Sequence, residues 1–287
     1  MKNVKNYGVS VRDKLLKLTS EKATYQQILI RYMHERLLYR MSISKYKSNF
    51  YLKGGALLFV YERFLARPTT DIDFLGSRIR RDKENIRKVF TEILSIPYPE
   101  DGIIFDFDQE MIRVEDIALD REYSGVRVLF TGHLDTIVQN LSMDIGFGDI
   151  IIPTPVELDY SPLISEMGNF TINAYSLETV VAEKFQTMIA KSIANSRMKD
   201  FYDVYTILSG YKLDKDSLER AIREVMANRK TRYEENHLLF SDDFKTDPDK
   251  LLQWNAFLRK TKIKNGPSFG TVMDLIKSEL KPYWDSL

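Results

Sequence analysis

The chain has 287 residues, 44% apolar and 29% charged, with 42 Lys and Arg against 41 Asp and Glu. This predicts a packed globular protein of one large or two ordinary domains, and any nucleic-acid surface has to be a local basic patch, since net charge recruits nothing. With no cysteine, disulfides, thiolate metal sites and a cysteine nucleophile are excluded, and His34, His133 and His237 are too scattered for a His-based metal site.

The opening MKNVKNYGVSVRDKLLK has no apolar signal core, and no run of about 18 apolar residues occurs. A cytoplasmic protein without a membrane partner is therefore expected. Residues 10–42 carry leucines and isoleucines at helical spacing and are expected to be helical. Asn49–Leu52 reads as a short strand, Gly54-Gly55 as its punctuation, Ala56–Leu65 as a buried helix and Thr70–Leu75 as a strand. Residues 82–95 look like an amphipathic helix. Between about 102 and 152 the period shortens to two, with GIIFDFD, VRVLFTG and LSMDIGFGD as strand candidates. Pro153, Pro155 and Pro162 mark a linker-like loop, and from Ser176 the pattern is helical almost to the end. An α/β half followed by a helical half is expected, with the boundary near 155–170.

The segment YLKGGALLFVYERFLARPTTDIDFLG carries the first cluster of chemistry. On a strand, Asp71 and Asp73 share one face and Ile72 and Phe74 the other. Paired carboxylates repel unless a cation lies between them, and Mg²⁺ suits oxygen ligands of this kind. A strand, two glycines and a helix present backbone N–H groups at a helix N-terminus, an anion site, with Lys53 beside it. A third acid is sought on the later strands. In Leu141–Phe147 the residues Leu141, Met143 and Ile145 alternate inward, and Asp144 faces the other way; it is the choice for the third metal ligand. Asp106, Asp108, Asp135 and Asp149 rank behind it, at turns or strand ends. The bland alternatives are a solvated strand edge, an ordinary turn and a solvated lysine. Acids facing a phosphate cradle suit phosphoryl or nucleotidyl transfer, and no Walker loop or kinase-type loop is present.

The second cluster lies in YSLETVVAEKFQTMIAKSIANSRMKDFYDV. Ser176 is the expected cap of one helix. Lys184 and Asp200 would stand about 24 Å apart on a single straight helix. A break at Asn195-Ser196, with Ser196 capping a second helix, would fold the pair into a hairpin and bring them closer. Arg197–Asp200 and Lys199–Asp203 are possible helical ion pairs, and the bland reading is capping and surface pairing.

Together, LKGGALL…RPTTDIDF, SMDIGFGDIIIPTP, YSLETVVAEKFQTMI and SRMKDFYDVYTIL resemble the AbiEii/AbiGii toxin family of nucleotidyltransferases, in the family's order, from about residue 25 to 210. The resemblance implies an α+β fold: a DNA-polymerase-β-like nucleotidyltransferase core with a mixed sheet, over residues 1–165 with N-terminal helices, and a C-terminal α-helical bundle domain over 166–287. It implies the toxin of an abortive-infection, type IV toxin–antitoxin pair, with a cognate antitoxin that acts without a stable complex. Family members are linked to nucleotide binding and to adding nucleotides to tRNA 3′ ends. By position, Asp71 and Asp73 are the metal acids for Mg²⁺ or Mn²⁺. Lys53, Gly54, Gly55, Thr69, Thr70 and Lys184 are the residues expected around the nucleoside triphosphate. Asp71, Asp73, Lys184, Asp200 and Asp203 are the catalytic set, with Asp200 favoured over Asp203 as the required acid of the last motif. Thr69-Thr70 stands where a serine often precedes the first acid, and a phosphate added there would crowd the site with negative charge.

Further along, Arg220, Arg223, Arg229, Lys230 and Arg232 cluster within a few helical turns, and Arg259–Lys264 forms a second basic run. Both suit an RNA backbone, with Arg223, Arg229, Lys230 and Arg232 as nucleic-acid candidates and solvated helix faces as the alternative. Trp254, Phe257 and Trp284 read as packing residues. The leading expectation is transfer of NMP from an NTP to a hydroxyl, tRNA being the expected acceptor. The rivals are a non-catalytic nucleotide- or RNA-binding inhibitor and a small-molecule nucleotidyltransferase of the same core fold.

Overall fold

The computed structural model describes residues 6–20, 23–63, 66–120, 123–152 and 154–287. Its contacts divide the chain into two compact units, residues 1–148 with 156–174, and residues 149–155 with 175–287.

The first unit is α+β. Two helices open it, α1 (Tyr7–Lys17) and α2 (Tyr25–Ile43), where the sequence spacing predicts one helical stretch. The helices are separate because Ser20 and Ala23 exchange backbone hydrogen bonds and Thr24 starts α2 afresh. The Thr24 side chain accepts the Gln27 N–H while the Gln27 side chain returns to the Thr24 N–H, a capping box. Strand β1 (Phe50–Lys53) runs without a loop into α3 (Gly54–Glu62). Leu65, placed at the end of this helix by its spacing, lies outside the described residues, as does Pro153 of the expected linker. Next come β2 (Asp73–Gly76), α4 (Lys83–Leu94, capped by Asp82) and β3 (Ile103–Phe105). They are followed by β4 (Arg113–Asp120), β5 (Tyr123–Leu134) and β6 (Ile137–Phe147). The unit closes with β7 (Val156–Tyr160) and β8 (Phe170–Ala174).

Among the described residues these strands form one eight-stranded mixed sheet in the order β3-β5-β6-β2-β1-β8-β7, with β4 paired to β5. The parallel pairs are β2 with β6 and β1 with β8. Strand β8 therefore belongs to the sheet unit, although a division at residues 165 and 166 assigns it to the helical part. Its sequence FTINA is too short for period alone to separate it from helix.

Register sets the two faces of the sheet. Leu52, Phe74, Ile145 and Val126 are successive partners across β1, β2, β6 and β5, and all are buried. Phe50 on this face meets Phe74 and Phe90 of α4 at ring-centroid distances of 6.2 and 5.5 Å. Since side chains alternate along every strand, the next residues in register fall on the opposite face. There the polar groups collect.

The second unit is helical: α5 (Leu177–Lys191), α6 (Met198–Gly210), α7 (Lys215–Asn228), α8 (Asp242–Thr246), α9 (Pro248–Thr261) and α10 (Phe269–Asp285). Ser176 caps α5 by accepting from the Thr179 N–H, as its position predicts. Trp254 and Trp284 are fully buried packing residues, donating their indole N–H groups to Pro267 and Glu234 carbonyls.

Candidate active site

Lys53, Asp73, Asp144 and Arg127 are successive partners across β1, β2, β6 and β5, which puts them in one row on one face. Charge along the row runs plus, minus, minus, plus. Asp73 and Asp144 are direct neighbours on parallel strands, an unfavourable arrangement for two carboxylates alone. The register flanks them with a cation at each end. Arg127 grips Asp144 with two parallel bonds, Nε to Oδ1 and Nη2 to Oδ2, each 2.7 Å. The pairing holds the Arg127 proton more firmly than usual, chiefly through the hydrogen bond and charge of Asp144, with smaller contributions from Asp71 and Glu115.

Asp71 is exposed and Ile72 buried, as alternation predicts. Regular pairing of β2 starts only at Asp73, later than the expected Thr70. A turn centred on Thr69 takes up the difference: the Thr69 hydroxyl accepts the Asp71 N–H at 3.2 Å. The strand is then joined to β6 one residue early, the Asp144 N–H donating to the Ile72 carbonyl at 3.0 Å. Thr69 thus fixes the backbone that carries Asp71, while Thr70 is exposed.

The glycines sit against this row. Gly54 has φ +68°, which lets the strand turn straight into the helix, and a Cβ there would fall on the Asp73 carboxylate. At Gly55 a Cβ would crowd Arg67 Nη2 and the Thr69 side chain at 3.1 and 3.2 Å. The first turn of α3 therefore lies beside Asp73, with Lys53 as its N-cap residue. Backbone N–H groups at such a terminus favour anionic oxygen.

Carboxylates of this kind match a hard divalent cation, which needs only one or two of them beside substrate phosphates. Asp71 and Asp73 are the pair that could hold it. Asp144 faces them but turns both oxygens to Arg127, and among the described residues no three acidic or imidazole groups are arranged to hold a metal ion. Two residues of this site have no role in the reading from sequence alone, Arg127 and the buried Arg67. Strand alternation in VRVLFTG already turns Arg127 away from Val126 and Val128; which acid it meets depends on register.

The second cluster is described within the helical unit. Lys184 Nζ donates to Asp200 Oδ1 at 2.6 Å and lies 2.9 Å from Asp203 Oδ2, so the hairpin does unite these residues. Ser196 is not its cap; the Asn195 side chain accepts the Arg197 N–H at 2.9 Å and α6 begins at Met198. Asp203 takes Lys184 in place of the helical pairing with Lys199. Both aspartates are buried, and Arg197 Nε donates to the second oxygen of Asp200 at 2.5 Å. Burial pushes the Asp200 carboxyl up, but Lys184 and Arg197 together outweigh it and hold it well below the usual carboxylate range.

The basic cluster divides. Arg229 is an internal residue: it bonds Gln186 and Asp149 at 3.0 Å each and lies 3.5 Å from Glu183. Arg223, Lys230 and Arg232 are exposed, Arg223 bonding Glu219 and the Ser286 carbonyl.

The fold is shared with a solved structure over nearly the whole chain. A candidate nucleotidyltransferase from Helicobacter pylori superposes with TM-score 0.50 at 16% identity, covering 94% of this chain and 97% of that one. JHP933 from Helicobacter pylori gives TM-score 0.49 at 16% identity, covering 93% and 94%. No curated protein matches the chain. Residues 36–275 match the AbiEii nucleotidyl transferase toxin family of the Type IV toxin–antitoxin system. The chain belongs to that family, and its mixed sheet with a C-terminal helical region is the expected fold class. Among the described residues no helix is long and apolar enough to cross a membrane.

Proposed function

We propose that this toxin transfers a nucleoside monophosphate from an NTP to a hydroxyl of an RNA acceptor, tRNA being the expected one, with Mg²⁺ or Mn²⁺ as cofactor. The supporting observation is the row Lys53–Asp73–Asp144–Arg127 lying against the glycine-started N-terminus of α3. The first turn of α3 and Lys53 receive the triphosphate oxygens. Asp71 and Asp73 would hold the cation, which when bound would supply Lewis-acid chemistry, a lower pKa for the attacking hydroxyl and neutralisation of the departing charge. In the transfer the acceptor oxygen bonds to the α-phosphorus as the α–β phosphoanhydride bond opens. Pyrophosphate leaves, and the hydroxyl proton passes to a carboxylate of the row. Gly54 admits the Asp73 carboxylate next to the helix terminus, where a side chain would fill that space.

Asp200 and Asp203 act in this reading through Lys184, whose ammonium they fix between them; their role is positioning. The exposed Arg223, Lys230 and Arg232 are the residues offered to the RNA backbone, and Arg229 is withdrawn from that set by its internal ion pairs. An antitoxin acting without a stable complex, abortive infection as the setting and the cytoplasm as the place of action follow from the family reading. The purified protein, incubated with each labelled NTP and total RNA, is expected to label small RNA and release pyrophosphate. Absence of label with every NTP and acceptor would remove the proposal.

A further inference from the structure

We propose that Arg127 is a latch on the acid row, an internal cation that holds Asp144 until metal and nucleotide arrive together. The inference rests on the reading of Asp71, Asp73 and Asp144 as the acids of the site. Arg127 engages both oxygens of Asp144 at 2.7 Å, so a divalent cation held by Asp71 and Asp73 would gain Asp144 as a third ligand only once this pair opens. The competition is local because Asp144 is the register partner of both Asp73 on β2 and Arg127 on β5. Release is feasible because the Arg127 side chain is 44% exposed whereas that of Asp144 is 19% exposed. The guanidinium can swing into solvent, and the carboxylate stays where the strand puts it.

The charge count explains why such a group belongs there. Without Arg127, Asp144 would face Asp73 directly, with Asp71 two residues further along the same segment. With Arg127 in place, the row is balanced by its own side chains. Arg127 then opposes binding of a bare cation, since the pair has to open first. When a nucleotide is present, its phosphate oxygens offer the released guanidinium a bidentate partner of equal chemistry. Arg127 thereby couples the two ligands, each being bound more tightly when the other is present.

The test is Mn²⁺ binding by isothermal titration calorimetry and electron paramagnetic resonance, with and without a non-hydrolysable NTP analogue. Wild type is compared with Arg127→Gln and Arg127→Lys, and Asp73→Asn serves as the control for the acid site. The expected result is that Arg127→Gln binds Mn²⁺ about threefold to tenfold more tightly without nucleotide, the range set by a partly exposed bidentate pair. The analogue then adds less to Mn²⁺ affinity than it does in wild type. Arg127→Lys, which keeps the charge but loses the fork, is expected to fall between the two and stands in if the glutamine variant does not fold. Equal Mn²⁺ affinity and equal nucleotide enhancement in wild type and both variants, with binding abolished in Asp73→Asn, would overturn the latch and leave the acid site standing. No Mn²⁺ binding by any of the proteins, with or without the analogue, would overturn both.

Discussion

Asp73 and Asp144 lie opposite each other on the parallel strands β2 and β6, flanked in the same register by Lys53 on one side and Arg127 on the other. The helix that follows Lys53 begins at a glycine whose missing side chain leaves room for the Asp73 carboxylate. Sheet register thus does the assembling: residues from four separate strands converge because each pairing is fixed by the buried row beside it.

Gly54→Ala is expected to harm site and stability together. The residue would have to keep φ +68° with a Cβ pressed on Asp73. The backbone cost is about 1–3 kcal/mol, and the carboxylate has to move. Thermal unfolding and NMP transfer measured on the same preparation would both fall; a variant with unchanged melting and unchanged transfer would contradict the close approach.

Alternation made much of this site legible. The period of two in TDIDF and LSMDIGF separates Asp71, Asp73 and Asp144 from their apolar neighbours before any pairing is known. Register is different, because no local feature of residues 73 or 144 states that they are partners; that follows from the long-range buried row in which Phe74 pairs with Ile145 and Ile145 with Val126. The partner of Arg127 is hidden in the sequence for the same reason. The capping box at Thr24 and Gln27 was present in the sequence as a Thr-x-x-Gln signal, and leucine periodicity across it hid the break. At Asn195 and Ser196 both residues have cap chemistry, yet α6 takes Arg197 as its N-cap without a side-chain cap bond, and the Asn195 oxygen accepts the Arg197 N–H in the turn before it. Arg229 reads as surface charge because its partners, Asp149, Glu183 and Gln186, are distant in sequence.

Lys184→Met would leave Asp200 and Asp203 buried without their shared ammonium. Removing one partner of such a cluster costs about 3–5 kcal/mol, seen in denaturant unfolding at neutral pH. The sign of the pH dependence follows from Asp200, whose folded-state carboxyl is held below its ordinary value. Its stabilisation is complete above about pH 4 and is lost as pH falls below that toward the depressed value. Any advantage of wild type over Asp200→Asn should therefore shrink on acidification below about pH 4. A gap that widened there would contradict the assignment.

Glu35 gives the opposite sign. It is buried on α2, accepts the Leu163 N–H at 2.7 Å and pairs with Arg36, yet burial pushes its carboxyl up to about 7. The folded chain binds this proton more tightly than the unfolded chain does, so stability should fall as pH rises from about 4.5 to about 7 and then level off. The change is on the order of 3 kcal/mol. Glu35→Gln should flatten this part of the profile, and an unaltered slope would count against it.

Arg229→Ala should behave as a packing variant. Loss of its pairs with Asp149 and Glu183 leaves two acids unpartnered by it in the helical unit, a cost of about 2–4 kcal/mol. Neutralising Arg223, Lys230 and Arg232 together should instead leave unfolding nearly unchanged while weakening RNA binding and flattening its salt dependence. Filter binding across a salt series, with melting curves in parallel, separates the two outcomes.

The most direct test of the account is NMP transfer by wild type and by Asp73→Asn, each incubated with labelled NTPs and total RNA, with growth inhibition scored alongside. Asp73 shares its strand with buried Phe74 and Leu75, so the asparagine variant should fold. Labelled RNA is expected from wild type and a loss on the order of a hundredfold or more in the variant, with growth inhibition lost in step. Transfer and growth inhibition that both persist in Asp73→Asn would contradict it.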